Sequence, residues 1–114
     1  MSASYRLSRQ DFSRLKVARR QSGTFFTLSI GVVHGRSIHG FASVVSKKAA
    51  RRAVDRNRIK RRIRDVMRTL LPALPNGMAM VVYAKNGVIK ASMEDTRNDI
   101  EKLFTRLLPP GGRK

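Results

Sequence analysis

From Thr24 to Val33 (TFFTLSIGVV) the chain alternates. Phe26, Leu28, Ile30 and Val32 fall on one side and Phe25, Thr27, Ser29 and Gly31 on the other, the period of a strand with one face in a core and a small, polar second face. Gly40 to Val45 (GFASVV) reads as a second strand. The turn-like His34-Gly35-Arg36-Ser37 between them predicts an antiparallel hairpin. Met78 to Ala84 (MAMVVYA) is apolar on both faces, as an interior strand is.

Helical spacing frames these strands. Ser8 to Val17 (SRQDFSRLKV) predicts a short helix, with Ser8 as cap, Asp11 at capping-box spacing, and Phe12 and Leu15 on one face. Arg19 to Gly23 reads as a turn or short edge strand. After the second strand comes a helix that ends near Leu71, because Pro72 cannot continue it. Pro75-Asn76-Gly77 is a turn, and Lys85-Asn86-Gly87 stops the interior strand. Ser92, with Asp95 three residues on, caps a last helix. Its apolar stripe is Ile100, Leu103, Phe104, Leu107 and Leu108. Pro109-Pro110-Gly111-Gly112 ends it, and residues 109–114 are expected to form a flexible tail. The pattern predicts an α+β fold of order α-β-β-β-α-β-α. It is a small two-layer sandwich in which helices cover one face of a mixed sheet of about four strands and leave the other face free for a partner. With 114 residues and no internal repeat, the chain fits a single domain with one modest core.

The charge of the chain is strongly one-sided. Twenty-five Lys and Arg stand against seven Asp and Glu, a net charge of +18. A folded domain so charged repels itself and is relieved by an anionic partner. Nucleic acid is the commonest, since each phosphate that Lys or Arg neutralises releases a counterion. No apolar run approaches the roughly 20 residues that span a membrane, and no basic face is paired with exposed bulky apolar residues, so a membrane partner is not expected. The absence of cysteine excludes disulfides and thiolate metal sites and fits a cytoplasmic location.

Half of that charge lies in Lys47 to Arg68, KKAARRAVDRNRIKRRIRDVMR, where eleven Lys or Arg meet only Asp55 and Asp65, a net +9. On a helix, Ile59, Ile63, Val66, Met67 and Leu70 gather on the side that packs on the sheet. Asn57, Arg61, Arg64 and Arg68 form a stripe beside them, and Arg51, Arg58 and Arg62 lie further round, toward solvent. A merely solvated helix face favours mixed Glu and Lys, because repeated like charges cost a few tenths of a kcal/mol per close pair. Eight of the eleven are Arg, the residue suited to bidentate phosphate contacts and to stacking on bases. The segment therefore reads as an anion-binding helix. Asn57 either caps a local backbone group or hydrogen-bonds RNA.

The stretch SVVSKKAARRAVDRNRIKRRIRDVMR resembles the signature of the bacterial ribonuclease P protein subunit. The strand running into Ser46-Lys47-Lys48 carries the likeness, followed by Arg56-Asn57-Arg58, Lys60-Arg61 and Arg64. Arg6-Leu7 and Asp11-Phe12 resemble that family's opening, and the length, charge and order of elements agree. The resemblance implies a protein that does not itself cleave RNA. Its partner, the catalytic ribonuclease P RNA, uses Mg2+ to remove the 5′ leader from precursor tRNA, with one protein per RNA and no protein-bound cofactor. It also implies that the central basic helix lies in a βαβ crossover. Lys47, Lys48, Arg52 and Ala53 near the helix start would face the catalytic RNA, with Arg56, Asn57, Arg58, Lys60, Arg61, Arg64 and Arg68 along the helix.

A cleft between the first helix and the sheet would hold the single-stranded leader, with Phe12 matching a family aromatic. Many members carry a second aromatic one turn later, where this chain has Lys16, and another on the strand, where it has Ser29. A single-strand site needs a basic groove and an aromatic platform. Phe12 and Phe25 are the candidates, with ordinary core packing as the alternative for both, while Thr27 and Ser29 can donate hydrogen bonds. Ala49-Ala50 replaces a Gly that many members carry, which predicts an early helix start.

A protein nuclease is the alternative, and metal-assisted hydrolysis wants clustered carboxylates or His. Four of the seven acids, Glu94, Asp95, Asp99 and Glu101, fall on the last helix, where they are expected to balance its bases and dipole. Asp55 and Asp65 are expected to pair with neighbouring arginines. His34 and His39 have no acid close in sequence. A ribosomal-type RNA binder or a DNA-binding protein accounts for the charge but not for the double-Lys and Arg-Asn-Arg spacing.

Overall fold

The computed structural model describes residues 6–35 and 38–108. The expected tail at 109–114, and Arg36 and Ser37 of the expected turn, lie outside the described residues. Three α-helices, α1 (Arg9–Arg14), α2 (Ala53–Leu70) and α3 (Met93–Leu107), accompany four strands, β1 (Leu15–Ser22), β2 (Phe26–Val33), β3 (Gly40–Val44) and β4 (Met78–Ala84). The chain order is α-β-β-β-α-β-α, as the pattern predicts.

Strand β4 organises the sheet. Ala79 to Val82 are all buried, and a strand apolar on both faces belongs in the interior. The strand order is β1-β2-β4-β3. β2 therefore pairs antiparallel with β1 and β4, while β3 pairs parallel with β4. The expected hairpin between β2 and β3 does not form, because β4 inserts between them. The local hairpin is β1–β2, turning through residues 23–25. Parallel neighbours need a long crossover, and α2 supplies it between β3 and β4.

The first helix is shorter than its pattern. Ser8 and Asp11 form the capping box, but α1 buries no residue and its C-cap, Leu15, is already extended (ψ 125°). With no apolar stripe to hold a helix, residues 15–22 instead gain ladder bonds to β2. The ladder slips between Val17 and Arg19, a β-bulge at Ala18 that reverses the alternation. Leu15, Val17, Arg20 and Ser22 thus share one face, and Lys16, Arg19 and Gln21 the other. Gly31 opposite the bulge has no room for a side chain, since an added Cβ would meet the Lys16 carbonyl oxygen.

One face carries the main core. Phe26, Leu28 and Ile30 of β2 and Met80 and Val82 of β4 meet Ile59, Ile63, Val66 and Met67 of α2 and the whole predicted α3 stripe. Ser92 and Asp95 cap α3 with a capping box. Val32, expected on this side of the core, is 51% exposed. It lies at the end of β2 beside exposed Lys16, past the cover of the helices. Asp99, expected to balance the bases and dipole of its own helix, is instead buried, 9% exposed. Its carboxylate accepts the backbone N–H groups of Thr24 (3.1 Å), Phe25 (3.0 Å) and Phe26 (3.0 Å) and so pins the β1–β2 turn to α3.

The second face has thinner cover. Leu7, Val33, Ala79 and Val81 form a small cluster with Leu15, Ala42 and Tyr83. Arg6 bridges to Phe41 at the β3 edge, whereas β1 begins at the opposite edge. Residues 7–14, including α1, therefore cross this face at one end. The other end is open.

Candidate nucleic-acid interface

The double lysine sits in a turn before α2, not within it. Ser46 holds that turn, its carbonyl accepting from the Ala49 and Ala50 amides and its Oγ from Ala49. Ala49 and Ala50 are buried, and the helix begins at Ala53, later than the two alanines predict. Arg56 explains the stop. Its Nη1 donates to the carbonyls of Ala50 (3.0 Å) and Arg51 (2.8 Å), tying the turn to the first helical residues. Arg56 is half-buried, with its guanidinium partly committed to this bracing, while Lys47, Lys48, Arg51 and Arg52 stand exposed.

Along α2 the side chains sort by angle at about 100° per residue. Ile59, Ile63, Val66 and Met67 are buried against the sheet and α3, and Leu70 packs against the same core. One flank carries Ala53, Asn57, Lys60, Arg61, Arg64 and Arg68, all exposed. The side-chain amide of Asn57 has no hydrogen-bond partner among the described residues, so it is not a local cap.

The other flank differs in kind. Arg62, expected toward solvent, is half-buried, and its Nη1 donates to the Ala91 carbonyl (2.9 Å), joining α2 to the segment before α3. Arg58 lies on this flank and faces Asp55 at 3.9 Å. Together with Ile59, Ile89, Lys90 and Ser92 these residues line a shallow cleft of about 160 Å³. The Arg56-Asn57-Arg58 triplet is thus divided: Arg56 braces the preceding turn, Asn57 joins the stripe, and Arg58 faces α3. Asp65 pairs with Arg68 at 3.5 Å, so both acids of the segment have neighbouring arginine partners, as expected. Lys60, Arg61 and Arg64 form no ion pair among the described residues, which leaves the middle of the stripe uncompensated.

The open end of the second sheet face gathers part of the expected cleft. Thr27 and Ser29 of β2 point there, while Phe12, on the α1 segment that crosses the other end of this face, is 38% exposed. Thr27 Oγ1 lies 3.1 Å from Ser22 Oγ, and Lys85 Nζ donates to Ser22 Oγ (3.2 Å) and the Gly23 carbonyl (2.6 Å). Two expected members are elsewhere. Phe25 precedes β2 and packs half-buried against the main core. Lys16 pairs with Val32, which puts its side chain on the helix side of the sheet.

Two residues on this face were not expected. Arg20 stands opposite Ser29, and its guanidinium carbon lies 5.8 Å from the centroid of the Tyr83 ring, a cation–π distance. Tyr83 shares a parity with Ala79 and Val81, a signal present in the sequence but hidden by the apolar run. Arg20 left no such signal, because the bulge sets its face.

Among the described residues no three His, Cys, Asp or Glu side chains cluster as a metal site requires, and no helix is long and apolar enough to cross a membrane.

Comparison with known proteins identifies the family. A family model described as Ribonuclease P matches residues 1–108. The ribonuclease P protein component of a Pseudanabaena species is 30% identical over 99 residues, covering 86% of this chain and 85% of the relative. That of Xanthomonas campestris is 41% identical over 95 residues, covering 83% and 60%. Among solved structures, the fold is similar to the RNase P protein of Staphylococcus aureus, with a TM-score of 0.77 at 23% identity over 90% of this chain and 94% of that one. It is also similar to the RNase P protein of Thermotoga maritima, with a TM-score of 0.66 at 20% identity over 87% and 89%. By a family model that spans the fold and by relatives matched along most of their length, the chain belongs to the ribonuclease P protein family.

Proposed function

We propose that this protein binds the catalytic RNA of ribonuclease P through the exposed flank of α2. On the open face of its sheet it holds the single-stranded 5′ leader of precursor tRNA, and so assists RNA-catalysed leader removal in the cytoplasm, one protein per RNA. The observation that carries this reading is the stripe of Asn57, Lys60, Arg61 and Arg64, exposed and without acidic partners. Each guanidinium there is available to phosphate, and each neutralised phosphate releases a counterion. Lys47, Lys48 and Arg52 extend the stripe past the helix start, and Arg68 closes it. Arg56 contributes chiefly by holding the lysine turn in place.

Cleavage in this reading belongs to the RNA and its Mg2+. Five of the seven acids already have structural roles. Asp11 and Asp95 complete capping boxes, Asp99 holds the β1–β2 turn, and Asp55 and Asp65 face arginines. The residues of the chain bind and orient, and none of them is assigned to the reacting phosphate.

Reconstitution tests the proposal. The purified protein alone should leave precursor tRNA intact. Added to a bacterial ribonuclease P RNA at low Mg2+, it should restore cleavage at the mature 5′ end. Cleavage by the protein alone, or no stimulation of the RNA, overturns it.

A further inference from the structure

We propose that Tyr83 and Arg20 form a base-stacking subsite on the open sheet face, with Tyr83 taking one nucleobase of single-stranded RNA. The inference rests on the leader reading above and assigns it an aromatic that the basic helix does not supply.

The placement of aromatics leads here. Phe25, Phe26, Phe41 and Phe104 all pack in the main core on the helix side. Among the described residues, Tyr83 is the sole aromatic whose strand register puts it on the opposite face, in line with Thr27 and with exposed Val44 of β3. The rest of that face on β4 is Ala79 and Val81, small side chains that leave the ring standing above the sheet. A sequence-tolerant single-strand site combines cations with an aromatic plane, and both are present. Arg20 is exposed and lies over the ring, and Lys85 is anchored beside Ser22 and Gly23.

An unsatisfied group supports the same spot. Ser29 is 1% exposed, and its Oγ has no hydrogen-bond partner, where buried hydroxyls ordinarily have one. Its strand partners are Arg20 on one side and Val81 on the other, so Tyr83 is its diagonal neighbour, about 7–8 Å away by general sheet geometry. Arg20, opposite Ser29, and Tyr83, diagonal to it, are in cation–π contact beside this hydroxyl. A base arriving over Tyr83 takes the place of the guanidinium. Arg20 then moves onto the adjacent phosphate, and the Ser29 hydroxyl is left facing the base edge. No bond is made or broken, and the exchange trades one cation–π contact for a base stack and a phosphate contact.

The test uses holoenzyme assembled from the full chain and a ribonuclease P RNA. Its substrates are mature tRNA and precursor tRNA carrying 2-aminopurine at single leader positions. The expected result is quenching of 2-aminopurine at one position on binding. Tyr83→Leu, which keeps an apolar side chain, should abolish that quenching and lower the preference for leader-bearing over mature tRNA by about 5- to 150-fold, the range of one lost base stack. Tyr83→Phe should retain both. Arg20→Gln should keep the quenching but weaken the salt dependence of leader binding. Unchanged leader preference and quenching in Tyr83→Leu overturn the inference. So does equal weakening toward leader-bearing and mature tRNA, which marks a role in folding alone. If the unaltered holoenzyme shows no preference for a leader, the leader reading itself fails. If Phe12→Ala abolishes that preference and Tyr83→Leu does not, the cleft stands and only the Tyr83 subsite falls.

Discussion

Asp99 offers a test in which the structure sets the magnitude. Its carboxylate accepts three backbone N–H groups from the turn at Thr24, Phe25 and Phe26, at 3.0–3.1 Å. A hydrogen bond to a charged group contributes about 1.5–3 kcal/mol net, but the three share one acceptor group and do not add in full. Thr24 is exposed, so water replaces its bond, whereas Phe26 is buried and its amide is left bare. Asp99→Ala should therefore cost about 3–5 kcal/mol, a large part of a typical 5–15 kcal/mol stability. For a chain of this size that corresponds to a melting point lower by about 12–20 °C.

Gly23 supplies an internal control. A Cβ there would lie 2.5 Å from Asp99 Oδ1, so Gly23→Ala should cost about 1–3 kcal/mol by overpacking in the unaltered protein. Once Asp99 is Ala that clash is gone, and the same change should cost about 0.5 kcal/mol or less, a coupling of at least roughly 0.5 kcal/mol and up to about 2.5. Urea unfolding followed by far-UV circular dichroism measures all four proteins on one scale. A loss under about 1 kcal/mol for Asp99→Ala, or strict additivity of the two changes, refutes the assignment.

The stripe and the brace on α2 separate in the same way. Arg61→Ala and Arg64→Ala should each weaken binding to the catalytic RNA and reduce the slope of log affinity against log salt by about one, with melting temperature unchanged. Arg62→Ala should do the reverse, costing roughly 1–2 kcal/mol through the lost bond to the Ala91 carbonyl, with little change in the salt slope. Ser92→Ala removes the hydrogen-bonding cap of α3 and should cost about 1 kcal/mol by thermal unfolding, and Ser92→Asp should recover most of it.

What the sequence revealed was mostly local. The apolar stripe and capping box of α3 lie within one helix, and the buried edge of α2 follows from spacing alone. The interior character of Met78 to Ala84 was also plain, because both faces are apolar. Its neighbours were not. β3 takes its partner from across an 18-residue helix, and adjacency in sequence favoured a hairpin that β4 displaces. The strand at Leu15 to Ser22 was hidden for a different reason. Its bulge breaks the alternation by which strands are recognised, so Lys16 was assigned to the expected cleft and Arg20 went unnoticed. Asp99 was unreadable because its partners are backbone amides more than seventy residues away. Along α2, spacing placed Asn57, Arg61, Arg64 and Arg68 correctly on one exposed flank. The motif adds Arg58, which stands exposed on the neighbouring flank beside Asp55.

The position of β4 also bears on how the chain acquires its shape. Apart from the bridge to Arg6, the partner of β3 in the sheet is β4. During synthesis, the β1–β2 hairpin can close as soon as it emerges, whereas β3 waits for α2 and the residues beyond it. The sheet is completed when β4 pairs with β2 and recruits β3 to its other edge, a non-local step that slows folding relative to hairpin closure. Until then the inner edges of β2 and β3 are open together, the condition under which strands pair with the wrong chain. The +18 charge of the chain opposes that encounter through mutual repulsion. The charge read here as a surface for RNA thus also keeps nascent copies apart while their central strand is missing.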